Sequence, residues 1–314
     1  MFINSSGYFI PKKRIFNDYF FKATGLTGDW IYQRTGILSR SRASEQETMD
    51  VMCSNAIHHA MEKLPYNIKD IDLILFASYT PTDSIATPAY IMQREFQIKE
   101  AKVLFISTAC SSAINAMEVI QSFFATGKAS KALLISADRN STYSDDADSQ
   151  SGYLWGDAAA AFFFSKERYS DNEAEVIDVD TEGLGYVGHG PEGVFLNLKG
   201  GGLLMPSGKD VFAQACTYIS RNTKRIVESN GISLSDLTWF IGHQANKRIL
   251  RHVIKELGIP EKKSLCNIEE LGNTGSVSAM LVYAQNTEKF QKGDTVCISV
   301  FGGGYSAGAC LIKC

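Results

Sequence analysis

The 314-residue sequence has no long apolar run and little net charge, and both absences exclude classes of protein. A transmembrane helix needs about 18 consecutive apolar residues, and no segment approaches that length. The first residues, Met1–Gly7, lack the charged and apolar regions of a signal peptide. The formal net charge of −3 gives no reason to expect nucleic acid as a partner. We therefore expect a globular protein that does not insert into a membrane.

Paired cysteines are also missing. No CxxC pair occurs among the seven cysteines, whose number is odd and whose spacing is irregular. This pattern predicts neither a metal site nor a disulfide framework. Free thiols are typical of a reducing compartment, so we expect a cytoplasmic protein. The seven residues are Cys53, Cys110, Cys216, Cys266, Cys297, Cys310 and Cys314.

Strand-like and helix-like segments alternate along the chain, which is typical of an α/β fold. Short apolar runs predict buried strands at 71–77, 132–136 and 158–164. Ser44 and Glu47 form a capping-box pattern, which predicts that a helix begins there. The fold class is therefore α/β before any resemblance is considered.

The chain divides near residue 170. Nine glycines lie between residues 183 and 208, and this density predicts a loop-rich connection. We place an N-terminal half at 1–170 and a C-terminal half at 171–314.

The two halves share a faint repeat. Asp70–Leu75 resembles Asp236–Ile241. Gly127 and Gly293 are separated along the chain by the same interval as these two segments, and each glycine precedes a predicted strand. A third, shorter match lies between these two pairs at nearly the same interval. Three matches in the same order predict a duplicated α/β unit.

Cys110 lies between an apolar run and a helix-like stretch. A thiol at the start of a helix is near the positive end of the helix dipole, which predicts a pKa below the usual value of about 8.5. The neighbours Ala109, Ser111 and Ser112 are small and leave room for a substrate. The alternative is a buried core cysteine with no chemical role, since free cysteine is often buried.

Three further polar segments follow predicted strands or precede predicted helices: 242–246, 272–276 and 301–305. Taken singly, each has a structural explanation, such as a buried histidine or a tight turn. Together with Cys110 they supply a nucleophile, an imidazole, a carboxamide and exposed backbone N–H groups. In α/β sheets such groups meet beyond the carboxyl ends of strands. The combination is typical of acyl-transfer chemistry.

Here the sequence resembles the β-ketoacyl-acyl-carrier-protein synthase III family, the condensing-enzyme branch of the thiolase superfamily. The resemblance covers nearly the whole chain, with its motifs in the family's order. The motifs are Asp29–Ile37, Ala109-Cys110, Gly156-Asp157, His243-Gln244-Ala245-Asn246, Gly272-Asn273-Thr274 and Phe301–Gly304.

The resemblance implies a thiolase-like, five-layered αβαβα fold made of two duplicated halves. It also implies residue roles. Cys110 accepts the acyl group, and His243 and Asn273 bind the thioester carbonyl of a malonyl-type extender. The backbone N–H groups of Cys110 and Gly303 form the oxyanion hole. Phe301 shields the site and assists the loss of carboxylate.

The resemblance further implies that no metal or cofactor takes part. The substrates are acyl thioesters of coenzyme A or of a carrier protein, the partner is an acyl carrier protein, and the assembly is a homodimer. Biosynthetic thiolases carry a second catalytic cysteine in a glycine-rich C-terminal motif. Gly302-Gly303-Gly304 contains none, which disfavours condensation without decarboxylation.

Four residues match substrate-contacting positions of the family: Trp30, Arg34, Asn246 and Thr87. Trp30 offers a stacking face and Arg34 a phosphate-binding fork, although a core tryptophan beside a surface arginine is the simpler alternative. The stretch 148–151 lacks the arginine that family members often have there. This departure weakens coenzyme A as donor. Thr87 falls where some relatives have a bulky gate that reaches across the dimer, so we expect a primer larger than acetyl.

A basic stripe follows His243 on a predicted amphipathic helix, and it consists of Lys247, Arg248, Arg251 and Lys255. Such a stripe is usually a solvated face. Acyl carrier proteins are acidic, so we expect this stripe to bind one.

The favoured hypothesis is a decarboxylative ketoacyl synthase for fatty-acid priming or for a specialised polyketide or alkyl-aromatic pathway. The alternatives are an acyltransferase that loads Cys110 without decarboxylation, a non-catalytic subunit of a condensing-enzyme heterodimer, and a cysteine hydrolase.

Overall fold

The computed structural model describes every residue from Met1 to Cys314, with thirteen strands and nine α-helices. The strands are β1 (Phe2–Phe9), β2 (Lys13–Phe16), β3 (Ser39–Arg42), β4 (Leu73–Ala77), β5 (Lys102–Ile106), β6 (Lys131–Arg139), β7 (Asp157–Ser165), β8 (Ala174–Gly183), β9 (Phe195–Asn197), β10 (Gly202–Leu204), β11 (Trp239–Gly242), β12 (Thr295–Gly302) and β13 (Ser306–Lys313). The helices are α1 (Phe21–Thr24), α2 (Gly28–Thr35), α3 (Met49–Met61), α4 (Thr87–Glu95), α5 (Ser112–Ala125), α6 (Gly208–Ser229), α7 (Lys247–Leu257), α8 (Ile268–Leu271) and α9 (Ser278–Gln285).

Nine strands form one sheet in the order β11-β12-β13-β8-β1-β7-β6-β4-β5. A short antiparallel pairing of β1 with β8 joins the two halves of the chain. In the first half β4 pairs parallel with β6, which pairs antiparallel with β7. In the second half β11 pairs parallel with β12, which pairs antiparallel with β13. The same strand pattern therefore occurs twice, with β4 and β11 in equivalent places.

Three apolar clusters separate the layers. The largest contains α5 and α9 together with residues of both halves of the sheet, so these two helices form the middle layer. A second cluster packs α3 and α4 on the outer face of the first half. A third packs α6 and α7 on the outer face of the second half. The layers are thus α, β, α, β, α, which is the expected fold class.

Local details differ from the predictions. Helix α3 begins at Met49, and its N-cap is Thr48, whose side chain accepts from the Val51 N–H. The Glu47 carboxylate still accepts from the Ser44 N–H at 2.8 Å, but the pair closes a separate turn ahead of the helix. The glycine-rich segment contains the β9–β10 hairpin rather than loop alone.

The connection between the two halves and the edge of the sheet are both well defined. β7 ends at Ser165 and β8 begins at Ala174, on either side of residue 170. β5 lies at one edge of the sheet and pairs only with β4. No helix is both long enough and apolar enough to span a membrane.

Candidate active site

Cys110, His243 and Asn273 line one small cavity of about 40 Å³. Cys110 lies between β5 and α5, His243 follows β11 directly, and Asn273 lies between α8 and α9. The packing of α5 and α9 in the middle layer brings these segments to one place. Phe301 and Gly303, at the end of β12, line the same cavity. The structure thus brings together all five residues that the resemblance assigns to the chemistry.

The backbone at the nucleophile is strained. Ala109 has a φ of +52°, in the left-handed region that non-glycine residues rarely adopt. The Ser112 hydroxyl donates to the Ala109 carbonyl at 2.6 Å, and the Thr108 N–H donates to the Ser112 oxygen at 2.9 Å. These bonds hold the turn between β5 and α5 in which Cys110 lies. A conformation of this kind costs about 1–3 kcal/mol and persists only where its surroundings impose it.

The expectation of a lowered Cys110 pKa is wrong. Burial raises the pKa of the thiol above its usual value, and the negative charge of Asp138 raises it further. The Tyr79 hydroxyl, within hydrogen-bonding reach of the sulfur, acts in the opposite direction. Helix α5 begins two residues later, at Ser112, and the loss of water on burial is the largest influence on the thiol.

His243 is kept neutral by its surroundings. It is 3 % exposed, and burial lowers its pKa to about 4. The imidazole Nδ1 lies 2.7 Å from the Ser278 Oγ, and this oxygen also accepts from the Gln244 N–H at 3.4 Å. We therefore assign the Ser278 hydroxyl as the donor and the imidazole Nδ1 as the acceptor, so that the hydrogen of the neutral imidazole is on Nε2. His243 is a hydrogen-bond donor here rather than a cation.

Asn273 presents a free amide. Its backbone N–H donates to the Leu154 carbonyl at 2.8 Å, and its own carbonyl accepts from the Gly156 N–H at 2.9 Å. Its Oδ1 accepts from the Gly275 N–H at 3.0 Å, which fixes the direction of the side chain. The Nδ2 group bonds to no protein acceptor and remains available to a ligand. Two neutral donors, from His243 and Asn273, thus line the cavity.

Backbone donors are also available. Neither the Cys110 N–H nor the Gly303 N–H has a partner within the protein. Gly302 lies directly against the nucleophile, because a Cβ at this position would be 2.6 Å from the Cys110 nitrogen. The Phe301 ring is buried and packs on Tyr218 and Tyr305, with ring centroids 6.2 and 5.0 Å apart. This aromatic wall keeps water away from the cavity.

A second cavity of about 470 Å³ adjoins the first. Cys110, Trp155, Val194 and Gly303 line both. Its other lining side chains are mostly apolar, and the β9–β10 hairpin supplies Phe195, Leu196, Leu198 and Leu203. Trp155 is 3 % exposed, and its indole N–H has no partner. This N–H is available to an acceptor atom of a ligand in the cavity.

Sequence reasoning missed this hairpin. Its signal is present in the chain, because two apolar triplets, 194–196 and 203–205, flank a turn that consists of polar residues and glycines apart from Leu198. Such a pattern predicts a β-hairpin. The density of glycines concealed it.

Trp30 and Arg34 lie on α2 outside both cavities. The Arg34 guanidinium is 4.9 Å from the centroid of the Trp30 ring, so the arginine covers the face that was expected to stack on a nucleotide. The Asn246 side chain is the N-cap of α7, where its Oδ1 accepts from the Arg248 N–H at 2.8 Å. Its Nδ2 donates to the Arg34 carbonyl at 3.1 Å. Asn246 therefore joins α2 to α7 and does not line the cavity of Cys110.

The basic stripe divides into two parts. Lys247, Arg248 and Arg251 line a surface cavity of about 310 Å³ between α2 and α7, while Lys255 is exposed farther along the helix. Lys247 is ion-paired with Glu269, which raises the pKa of the lysine. Arg248 and Arg251 remain without an acidic partner.

Thr87 does not line either cavity of Cys110. It begins α4 and lines a separate surface cavity of about 410 Å³ beside Thr80 and Arg139. The neighbouring Ile85 is 71 % exposed and is the bulky apolar side chain at the tip of this loop.

Two family models match parts of this chain. Residues 106–185 match the model for 3-oxoacyl-[acyl-carrier-protein (ACP)] synthase III, and residues 227–314 match the model for its C-terminal part. A β-ketoacyl-[acyl-carrier-protein] synthase III of Anaplasma marginale is 30% identical over 314 residues, covering 98% of this chain and 97% of the relative. The enzyme of the same name from Aquifex aeolicus is 28% identical over 313 residues, covering 99% and 98%.

Solved structures agree. The crystal structure of 3-oxoacyl-[acyl-carrier-protein] synthase III from Aquifex aeolicus is similar with a TM-score of 0.92 at 28% identity, covering 100% of this chain and 99% of that one. The priming β-ketosynthase of the R1128 polyketide pathway has the same fold, with a TM-score of 0.90 at 24% identity, covering 99% and 95%. The fold, the shared cavity of Cys110, His243 and Asn273, and these matches together show that the chain belongs to the β-ketoacyl-acyl-carrier-protein synthase III family.

Proposed function

We propose that this protein is a condensing enzyme that loads an acyl group on Cys110 and joins it to a malonyl-type thioester with loss of CO₂. The observation that supports the proposal is the single cavity that holds a thiol, a neutral imidazole and a free carboxamide. Each of these groups has a separate task in the reaction. The chemistry draws only on side chains, backbone N–H groups and the substrates.

The first step exchanges one thioester for another. The Cys110 sulfur attacks the carbonyl of the incoming acyl thioester, and the oxygen takes up negative charge. The unpaired N–H groups of Cys110 and Gly303 bind this oxyanion. Collapse breaks the bond to the carrier sulfur, and the proton lost from Cys110 ends on the released thiol. Because burial raises the thiol pKa, attack and proton loss are expected to occur together.

The second step removes CO₂ from the extender. Loss of the carboxylate leaves an enolate whose oxygen carries the developing charge. The His243 Nε2–H and the Asn273 Nδ2–H supply two donors for that oxygen. A histidine with a pKa of about 4 stays neutral and keeps its hydrogen throughout. The buried Phe301 ring disfavours the charged carboxylate and so promotes its loss.

The third step forms the new bond. The enolate carbon attacks the acyl carbonyl on Cys110, and the same two backbone N–H groups bind the oxyanion. Collapse breaks the bond to the Cys110 sulfur, which takes up one proton from solvent and returns to its first state. The product is a β-ketoacyl thioester on the extender's carrier.

A medium-length or bulky acyl group is proposed as the primer. The cavity of about 470 Å³ beside Cys110 lies within the usual range of pockets for drug-sized ligands, about 300–1,000 Å³. An acetyl group has only three non-hydrogen atoms and would leave most of this space empty. A specialised polyketide or alkyl-aromatic pathway fits such a primer as well as fatty-acid priming does.

The primer is tested by competition among acetyl, octanoyl, dodecanoyl and benzoyl thioesters, with the mass of the acyl-enzyme as readout. Exclusive loading of acetyl would contradict the proposal. Leu203→Trp, which narrows the cavity, should shift loading to shorter chains. Leu204→Trp is the matched control, because Leu204 is next along β10 and does not line the cavity.

An acyl carrier protein is proposed as the extender's carrier, and Arg248 and Arg251 as its contacts. Both arginines lack an acidic partner within the protein and lie beside a groove of about 310 Å³. Arg248→Glu should raise the KM for the carrier-bound extender several-fold at low salt. Lys224→Glu, on the surface of α6, is the control for the change of charge. An unchanged KM in the Arg248 variant would contradict the proposal that α7 binds the acyl carrier protein.

A homodimer is proposed through β5. This strand is one of the two edges of the nine-stranded sheet, and its apolar side chains are only half buried. Phe105, at the edge, also lines the cavity of about 470 Å³ that is proposed to hold the acyl group, here called the acyl cavity. A second copy would therefore help to enclose the primer. Sedimentation velocity should give twice the mass of one chain, and Leu104→Lys should give monomers. All seven cysteines are free, which fits the proposed cytoplasmic location.

The reaction itself is tested with an acyl thioester and malonyl-carrier protein labelled in the carboxylate. We expect an acyl adduct in the wild type that Cys110→Ala abolishes and that Cys266→Ala, which removes an exposed thiol, retains. Asn273→Ala should load the acyl group yet release little labelled CO₂. An adduct that turns over without any release of CO₂ in the wild type would favour an acyltransferase instead.

A further inference from the structure

Tyr79 lies at the contact between the nucleophile and the acyl cavity. It is 9 % exposed and lines the larger cavity together with Cys110. Its ring packs directly on Gly275, where a Cβ would be 2.8 Å from the Tyr79 hydroxyl. Gly275 has a φ of +69° and follows Asn273 by two residues. The absence of a side chain at Gly275 thus provides space for the Tyr79 ring near Cys110 and Asn273.

The hydroxyl is connected to the loop that holds Asn273. It donates to the Asn140 Oδ1 at 2.6 Å. The Asn140 Nδ2 in turn donates to the Gly156 carbonyl at 2.7 Å and lies 3.4 Å from the Asn273 carbonyl. The Gly156 N–H also donates to the Asn273 carbonyl. A continuous chain of hydrogen bonds therefore runs from Tyr79 to the backbone of Asn273.

The same residue lines the larger cavity together with Cys110, and its hydroxyl acts to lower the pKa of the thiol, as a hydrogen-bond donor to the sulfur does. The other titratable groups that face this thiol are the Asp138 carboxyl, on β6, and the neutral imidazole of His243. The Asp138 oxygens already accept from Ser78, Thr80 and Ser276. No lysine or arginine lines either cavity. The Tyr79 hydroxyl can therefore supply a hydrogen to the sulfur when negative charge develops there.

We propose that Tyr79 is a positioning residue that stabilises the negative charge developing on the Cys110 sulfur as its proton leaves, and links the sulfur to Asn273. In the resting protein the phenolic hydrogen bonds to Asn140. As Cys110 loses its proton, the same hydrogen turns to the sulfur, and it returns to Asn140 once the sulfur carries an acyl group. No bond other than hydrogen bonds changes in Tyr79. The inference rests on the proposed role of Cys110 as acyl acceptor, but its first readout uses no substrate.

The test is the pH profile of Cys110 alkylation by iodoacetamide, followed by peptide mass mapping. Tyr79→Phe should move the midpoint to higher pH by about one unit, which is about a tenfold slower reaction at neutral pH. Tyr66→Phe is the matched control, because the Tyr66 hydroxyl donates to the Asn4 Oδ1 at 3.0 Å far from the site. Its profile should coincide with that of the wild type.

A second variant separates this role from a structural one. Replacement of Tyr79 by 3-fluorotyrosine gives a stronger donor of nearly the same shape, so the midpoint should move to lower pH. Coincident profiles for wild type, Tyr79→Phe and the fluorinated protein would overturn the proposal, as would shifts of one sign in both variants. If Tyr79→Phe fails to fold, judged by urea unfolding, the fluorinated protein alone decides.

Acyl loading distinguishes this inference from the proposed function. If the wild type loads no acyl thioester but the alkylation profiles still separate, the role of Tyr79 stands and the proposed reaction fails. If the wild type loads and condenses normally while the profiles coincide, the reaction stands and Tyr79 has no such role.

Discussion

Mild acid is expected to destabilise this protein through His243. Burial lowers the pKa of the folded imidazole to about 4, whereas an unfolded histidine has a pKa of about 6.5. Below pH 6.5 the unfolded chain therefore binds a proton that the folded protein excludes. The stability that His243 contributes is complete above pH 6.5 and is lost as the pH falls toward 4. By linkage, the free energy of unfolding should fall by about 2 kcal/mol between pH 7 and pH 5 from this residue alone.

Urea unfolding at pH 7, 6 and 5 measures this loss, with His243→Gln as the comparison. Glutamine is neutral at every pH and is long enough to keep a hydrogen bond to Ser278. The difference in stability between wild type and variant should change by about 2 kcal/mol over this range. Parallel curves for the two proteins would refute the reasoning. So would an NMR titration in which the His243 ring protonates near pH 6.5.

Three substitutions test other parts of the structure. Gly302→Ala would place a Cβ 2.6 Å from the Cys110 nitrogen, so the rate of acyl-enzyme formation should fall about a hundredfold, as measured by intact mass. Asn246→Ala removes the N-cap of α7 and should cost about 1 kcal/mol in urea unfolding while acylation keeps its wild-type rate; a large loss of acylation would return Asn246 to the substrate site. Gly7→Ala would place a Cβ 2.6 Å from the Ala56 carbonyl oxygen where α3 packs on β1, and a loss of about 3 kcal/mol is expected; an unchanged Tm would contradict this close packing.

The fold could be predicted from the sequence because apolar strand segments and the repeat between the two halves can both be recognised in the sequence itself. Buried strands such as β4 and β6 are nearly continuous apolar runs, and the repeat between the two halves places β4 and β11 in equivalent positions. The start of α3 was less accessible. Ser44 and Glu47 satisfy the pattern of a capping box, but the chain makes one more turn before Thr48 caps the helix.

The sequence predicted which residues meet at the site but not the pKa of the thiol. Motifs identify Cys110, His243 and Asn273, yet the acidity of the thiol depends on burial and on Asp138, which is distant in sequence. No pattern in the residues next to Cys110 indicates its burial or the position of Asp138. The contacts of Asn246 are equally hidden, because a side chain that matches a substrate position is used to cap α7.

The β9–β10 hairpin forms a wall of the larger cavity whose side chains can be replaced independently of the smaller cavity. Its four apolar side chains line the acyl cavity, and none of them lines the smaller cavity of His243 and Asn273. Selection can therefore alter Phe195, Leu196, Leu198 or Leu203 without disturbing the groups that make and break bonds. The glycines at the hairpin turn have positive φ at residues 200, 201 and 202, a backbone conformation that glycine adopts without strain. Under the proposed function, divergence in this short segment would change the acyl specificity while Cys110, His243 and Asn273 stay the same.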